Sequence, residues 1–359
     1  MYKVLVIITT GMTSYGGLTT VAMNYYRNID LTKIQMDFLS TNTIQKELAD
    51  ELTKKESRYY CLSNRNSNPI GYYFKLRKIC KKYDCIHVHA NSATATAELL
   101  AAKSAGVKKR IVHIHNTTCS HKIIHYLLKP VFDKSYTLGI GCSDAAGRWA
   151  FGKKKYIVLN NAIDLDKYDY NLEDRTYIRK KYGIRDDEYV IGNVGKLSKQ
   201  KNHEFVIKVF HYYYQTHENC KLLLVGDGAL RPKLEELAKC FNVSDKVIFC
   251  GMVDNAKEFY SAMDCILFPS LWEGLPLSLL EAQATGLTCV SSNNITSEVN
   301  MGGVIQLSLN DDLNYWEDKL KQALSSNRNE DKKKYRENLR KNGFDIRANA
   351  HVLQELYLG

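Results

Sequence analysis

The feature that most constrains the fold is an alternation that runs through the chain twice. Short apolar runs trade places with amphipathic stretches, and one polar break separates the two series. The run at 4–9 is almost wholly apolar, as suits a parallel strand covered on both faces. Further strands are expected near 35–39, 58–62, 85–89, 110–115, 136–142 and 156–159, with helices near 18–28, 44–54, 70–82, 93–104, 122–134 and 144–151. Residues 160–171 are polar, rich in turn formers and aperiodic, and read as a linker. Strands then resume near 189–194, 222–225, 247–249, 265–268 and 288–291, with helices near 203–214, 230–241, 256–262 and 277–284 and a charged helical tail over 313–358. The expected class is α/β: two Rossmann-like, doubly wound parallel sheets with a cleft between them. A length of 359 residues exceeds what one core usually supports, which agrees with two domains.

The stretch 265–286 carries the strongest chemical signal. Cys265-Ile-Leu-Phe-Pro269 reads as a buried strand, followed by a turn at Glu273-Gly274-Leu275, a proline at 276 and a helix closed by Gly286. A strand, a glycine turn and a helix start together offer N–H groups and a positive dipole end to a phosphate. Glu273 and Glu281 bracket that corner, and carboxylates are good acceptors for sugar hydroxyls. A phosphate cradle between two hydroxyl readers points to a nucleotide sugar. Lys196 and Lys201 lie on one loop after a strand, where both ammonium groups suit a leaving diphosphate. Taken alone, two loop lysines are more often a solvated basic surface. The turns at Val225-Gly-Asp-Gly228 and Gly251-Met-Val-Asp254 are expected on the same edge, with Val253 meeting a base through its backbone.

In the first half, Gly16 and Gly17 form an incomplete phosphate loop. Gly11 is five residues away and no third glycine follows, so the dinucleotide fingerprint of nicotinamide enzymes is missing. Histidines cluster at 87, 89, 113, 115, 121 and 125. Two H-x-H strands present their rings on one face and can in principle hold a metal. No carboxylate motif completes such a site, so no metal is expected. His115, ahead of a polar loop, is the one expected to position a hydroxyl or the reacting sugar, with His87 and His113 as packed partners. Asp164 and Asp166 spell D-x-D, but in the linker they read as turn carboxylates.

Charge is uneven. Residues 1–165 hold 24 Lys and Arg against 11 Asp and Glu, a net of +13, while the remainder is nearly neutral. The basic clusters lack interleaved aromatics and any nucleic-acid motif, so the expected partner is anionic lipid and not nucleic acid. The chain shows no signal-peptide pattern and no apolar run of membrane-spanning length, which implies a cytoplasmic protein. Ten cysteines without a C-x-x-C pair are expected to be reduced.

Together these segments resemble the GT-B glycosyltransferases, most closely the retaining family-four branch that builds capsular and exopolysaccharides. The resemblance rests on the Gly16-Gly17 loop, His113-Ile-His-Asn-Thr117, Cys142-Ser-Asp-Ala-Ala-Gly-Arg-Trp149, Asn161-Ala-Ile-Asp164, the Lys196/Lys201 pair and the E-x7-E spacing of Glu273 and Glu281. It implies a first domain over 1–165 that binds acceptor, a second over 166–341 that binds a UDP-sugar donor, and a last helix over 342–359 that returns to the first. It implies that Glu273 contacts donor-sugar hydroxyls, Gly274 and Leu275 give N–H groups to the diphosphate, and Glu281 holds the ribose. Lys196 and Lys201 would neutralise the leaving diphosphate, Gly16 and Gly17 would approach it, and His115 would sit by the donor sugar. Lysine at 196 replaces the usual arginine, which keeps the charge and loses the bidentate fork. The implied acceptor is a saccharide or a lipid-diphosphate-linked saccharide at the inner membrane face, with no cofactor or metal. A nucleotide-sugar epimerase or a phosphorylase of the same fold, or a non-catalytic nucleotide- or glycan-binding partner, are the alternatives.

Overall fold

The computed structural model describes residues 1–14, 16–119, 121–253 and 256–359. The chain forms two units, Met1–Ala162 with Asp345–Gly359, and Ile163–Phe344. These divide a few residues away from the expected 165 and 341.

The first unit is built on a seven-stranded, wholly parallel sheet. In chain order it contains β1 (Tyr2–Ile8), α1 (Gly17–Asn28), β2 (Ile34–Ser40), α2 (Lys46–Lys54), β3 (Tyr59–Cys61), α3 (Pro69–Cys80), β4 (Cys85–Ala90), α4 (Thr96–Ser104), β5 (Lys109–Ile114), α5 (Lys122–Phe132), β6 (Leu138–Gly141), α6 (Asp144–Phe151) and β7 (Ile157–Val158). The strand order is β3-β2-β1-β4-β5-β6-β7. Helices cover both faces, which is why Val4 to Ile8 are all buried. The order reverses between β1 and β4, and the crevice beyond the carboxyl ends of two such strands is where open α/β sheets bind ligands.

The second unit carries α7 (Leu172–Lys181), β8 (Tyr189–Val194), α8 (His203–Tyr214), β9 (Cys220–Val225), α9 (Arg231–Cys240), β10 (Val247–Gly251), α10 (Ala256–Ala262), β11 (Cys265–Phe268), α11 (Leu277–Ala284), β12 (Thr288–Ser292), β13 (Val304–Leu307), α12 (Leu313–Leu324) and α13 (Arg328–Lys341). Its six parallel strands run β10-β9-β8-β11-β12-β13, with the reversal between β8 and β11. Two elements depart from the sequence expectations. Helix α7 follows directly on the presumed linker and has almost no apolar stripe, burying only Ile178 and Arg179. Asp264 holds it instead, pairing with Arg175 at 2.8 Å and Arg179 at 2.7 Å while accepting from the Val190 N–H. Strand β13 is short and half-exposed, too weak a pattern to be seen before its partner β12 is known.

The charged tail divides into three helices. The last, α14 (Ile346–Leu358), belongs to the first unit and packs on α1. Lys109 donates to the carbonyls of Leu356 and Tyr357 at its end, where a cation also meets the negative end of the helix dipole. All ten cysteines are free thiols. No described helix is long and apolar enough to cross a membrane.

Candidate active site

In the second unit, the loop after β8 carries Lys196 and Lys201 and is clamped on two sides. Toward β9, Gly195 N–H donates to the Val225 carbonyl at 2.9 Å and Leu197 N–H to Asp227 at 3.0 Å. That contact depends on glycine. Gly226 sits at φ +134°, where a Cβ would lie 2.1 Å from the Gly195 carbonyl oxygen, and a Cβ at Gly228 would lie 2.3 Å from that of Leu197. Toward β11, Leu271 N–H donates to Gln200 at 2.8 Å, Gln200 Nε2 to the Trp272 carbonyl at 2.9 Å and Asn202 Nδ2 to that of Pro269 at 3.1 Å. Asn202 takes the left-handed conformation that turns the chain into α8. Both loops of the sheet's reversal point are thereby held together.

The clamp brings Lys201 Nζ to 2.8 Å from Glu273 Oε1, with the ammonium 4.4 Å from the centroid of the Phe268 ring. The contact is an ion pair without hydrogen-bond geometry. Both side chains are mostly buried, so the pair is weakly screened by solvent. Lys196 is exposed and makes no ion pair among the described residues. The motif thus supplies one anchored and one free ammonium.

Beyond Glu273 the chain turns at Gly274 and the buried Leu275 into α11, whose N-cap is Pro276. The proline ring carries no acceptor to cap with, and no side-chain cap bond is present among the described residues, so the first N–H groups of α11 are open to an anion. Glu281 lies inside the helix and is buried. It accepts from the Tyr260 hydroxyl at 2.8 Å and also bonds Tyr168. Burial raises its pKa, opposed by the tyrosine hydroxyls and the charges of Lys167 and Lys201. Val253 follows the Gly226–Gly251 bridge between the ends of β9 and β10, and Asp254 lies outside the described residues.

In the first unit, Gly16 is the N-cap of α1, and Gly17 opens the helix with nothing within 4 Å of where a Cβ would stand. His115 follows β5 on the same carboxyl edge of the sheet. Its Nδ1 lies 3.0 Å from Asn161 Oδ1 and its Nε2 lies 2.9 Å from His89 Nδ1. The only consistent proton assignment has His89 donating to His115 and His115 donating to Asn161. Burial holds His115 down to about 4, so near neutral pH it is an uncharged imidazole. Asn161, His89, Tyr260 and Tyr168 were not anticipated as partners. Asn161 had a signal, since it opens the linker motif Asn161-Ala-Ile-Asp164. His125 is structural: it stacks on Trp149 and its Nδ1 accepts from Ala93 N–H. Asp164 accepts from the N–H groups of Asp166 and Lys167, the turn role expected of it.

Residues 174–344 match the family described as Glycosyl transferases group 1, and residues 15–167 match Glycosyltransferase Family 4. EpsF of Bacillus subtilis (strain 168), named as a glycosyltransferase, is 30% identical over 368 residues, spanning 98% of this chain and 95% of its own. The Escherichia coli protein named UDP-Gal:alpha-D-GlcNAc-diphosphoundecaprenol alpha-1,3-galactosyltransferase is 28% identical over 239 residues, 62% of this chain and 61% of that one. Among solved structures, Anabaena Alr3699/HepE in complex with UDP and glucose superposes with a TM-score of 0.82 over 99% of both chains. The identity there is 15%, so the likeness is one of fold.

Proposed function

The chain belongs to the GT-B glycosyltransferases of group 1 and family 4, and from that premise we propose that it transfers a sugar, with retention at the anomeric carbon, from a UDP-linked donor to a saccharide or lipid-diphosphate-linked saccharide in capsular or exopolysaccharide synthesis. The observation that carries this reading is the Lys201–Glu273 pair beside the uncapped start of α11, on the two loops that flank the reversal point of the second sheet. Gly274, Leu275 and the helix start present N–H groups to the diphosphate. Lys196 and Lys201 add positive charge that counts most as the leaving group gains negative charge. Once Lys201 turns to phosphate, Glu273 is released to accept from donor-sugar hydroxyls. Glu281, already holding a tyrosine hydroxyl, receives the ribose. Two ammonium groups and a helix dipole cover the diphosphate charge without a metal ion, so the transfer is proposed to be metal-independent. No carboxylate is assigned as a nucleophile. The leaving phosphate therefore assists deprotonation of the acceptor hydroxyl on the same face of the sugar. His115 and the Gly16-Gly17 loop are assigned to the donor sugar and diphosphate from the first unit.

The named substrates of relatives support the donor and acceptor classes. The E. coli relative's name includes a UDP-sugar and a diphosphoundecaprenol acceptor, and the Anabaena structure holds UDP. Peripheral attachment to the inner membrane face is supported by α5, where Ile123, Tyr126 and Leu127 are each more than two-thirds exposed in a unit with a large basic excess. A panel of UDP-sugars with a lipid-diphosphate saccharide acceptor tests the reading, the anomeric configuration of the product being read by NMR. Glu273→Ala and Lys201→Ala should each lower turnover about a hundredfold or more. Transfer that survives both changes overturns the assignment. An epimerised donor without acceptor, or phosphate-dependent cleavage, would instead mark one of the alternative activities, and UDP binding without turnover would mark a binding subunit.

A further inference from the structure

The proposed transfer uses His115 alone, yet the first sheet sets four histidines side by side, and three of them, His87, His89 and His113, are fully buried. In the parallel pairing of β4 and β5, His89 stands opposite His113 and His87 opposite Ile111. With a two-residue alternation along each strand, His87, His89, His113 and His115 share one face. Their rings lie close: 4.4 Å between the centroids of His87 and His89, 5.1 Å between His89 and His113, and 5.6 Å, nearly parallel, between His87 and His113. One nitrogen from each of these three falls within 4.8 Å of the others. Such a layer is costly as it stands. Neither ring nitrogen of the fully buried His113 has a hydrogen-bond partner among the described residues, nor has His87 Nε2. The Leu159 carbonyl approaches His113 without hydrogen-bond geometry.

We propose that His87, His89 and His113 form a binding site for a d-block metal ion that prefers imidazole, zinc(II) or copper(I). Such ions are held by neutral imidazole nitrogens. The outward bonds of the cluster fit ligation. His87 Nδ1 lies 2.6 Å from the Tyr357 hydroxyl and His89 Nδ1 lies 2.9 Å from His115 Nε2. The His89 contact puts the proton on its Nδ1; in His87 the tautomer that donates from Nδ1 to the Tyr357 oxygen likewise leaves Nε2 to the ion, with the second nitrogen anchored as ligating histidines usually are. For His113, the Leu159 carbonyl is close enough to anchor a ring N–H once the ring reorients toward the ion. At a ligand bond of about 2.0 Å, two nitrogens on one ion are about 3.3–3.5 Å apart, so the nitrogens close by up to about 1.5 Å. The ion would tie β4 and β5 to α14 through Tyr357, and through His89 it would set the proton assignment of His115. It has no part in neutralising the donor diphosphate, and the inference does not rest on the proposed transfer.

The full chain, purified without a histidine tag and stripped with a chelator, is equilibrated with zinc(II), and separately with copper(I) under reducing conditions. Unbound metal is removed by gel filtration and the content measured. One equivalent per chain of either ion, accompanied by a higher thermal midpoint, is expected. It should fall to near zero in His113→Gln and His87→Phe and persist in His351→Gln, which alters an exposed histidine on α14. Failure of both ions to bind overturns the proposal, as does uptake unchanged in the two cluster variants, which would be surface binding. Should those variants not fold, cobalt(II) in the unaltered chain decides. Intense visible bands of low coordination number support the site, and the weak absorption of an octahedral, water-rich ion overturns it.

Discussion

Replacing Lys201 with methionine tests whether the Lys201–Glu273 pair serves the fold, the chemistry, or both. Methionine keeps most of the apolar stem, which passes 3.0 Å from where a Cβ on Gly195 would stand, and removes only the charge. At the observed 2.8 Å and an effective dielectric of 20, two unit charges attract by about 6 kcal/mol before desolvation is subtracted. The net value of such a pair is small, but removing one partner leaves Glu273 largely buried and unpaired, at a cost of about 3–5 kcal/mol. Loss of the contact with Phe268 adds about 0.5–2 kcal/mol. Lys201→Met should therefore lower the thermal midpoint of the second unit by roughly 7–28 °C. Adding Glu273→Gln removes the stranded charge, and most of that loss should return. Turnover should behave differently: the double variant should remain at least about a hundredfold down, because the charge that the diphosphate needs is still missing. Differential scanning calorimetry and a UDP-release assay on the three variants read the two effects apart. A double variant that regains turnover refutes the catalytic reading, and a Lys201→Met chain as stable as its parent refutes the buried-pair reasoning.

The glycines offer a sharp contrast. Gly226→Ala should cost stability and weaken UDP binding in calorimetry, because its methyl would meet the Gly195 carbonyl at 2.1 Å and push the lysine loop away. Gly17→Ala meets nothing and favours helix, so its thermal midpoint should hold or rise by an amount equivalent to about 0.5–1 kcal/mol, while donor kcat/KM falls if the loop meets phosphate. Acid should destabilise both units. Burial lowers His115 and His203 to about 4, so the unfolded chain takes up protons first, and stability present above pH 6.5 is lost as pH falls toward 4, about 3 kcal/mol for each group. Urea unfolding at pH 7, 6 and 5 measures this, and His203→Leu should flatten the second unit's share. In vesicle flotation, Ile123→Glu with Leu127→Glu should abolish binding to anionic liposomes that weakens with salt in the unaltered chain; salt-independent binding would argue against an electrostatic contribution.

Much of the architecture was legible because buried parallel strands must be apolar and the helices between them must be amphipathic. That rule located most strands and helices of both sheets. It failed where stability comes from charge, as in α7, whose arginines reach Asp264 from far along the chain. It failed again at β13, where four residues, two buried and two partly exposed, have too little pattern. The candidate site divides the same way. Strand–glycine–helix spacing placed Glu273, Gly274 and Glu281 at one corner, and the two lysines on one loop.

What the sequence determined by itself is the set of parts: two parallel α/β sheets, the glycine turns at their strand ends, and the charged residues those turns carry. Only the tertiary structure decided the pairings: Lys201 with Glu273, Glu281 with Tyr260, and His115 between Asn161 and His89. The physical reason is strand order. Local periodicity says that a segment is a strand and which face is buried, but not which strand lies beside it. It is the placing of β11 next to β8, and of β5 next to β4, that brings residues distant in the chain within reach of one another.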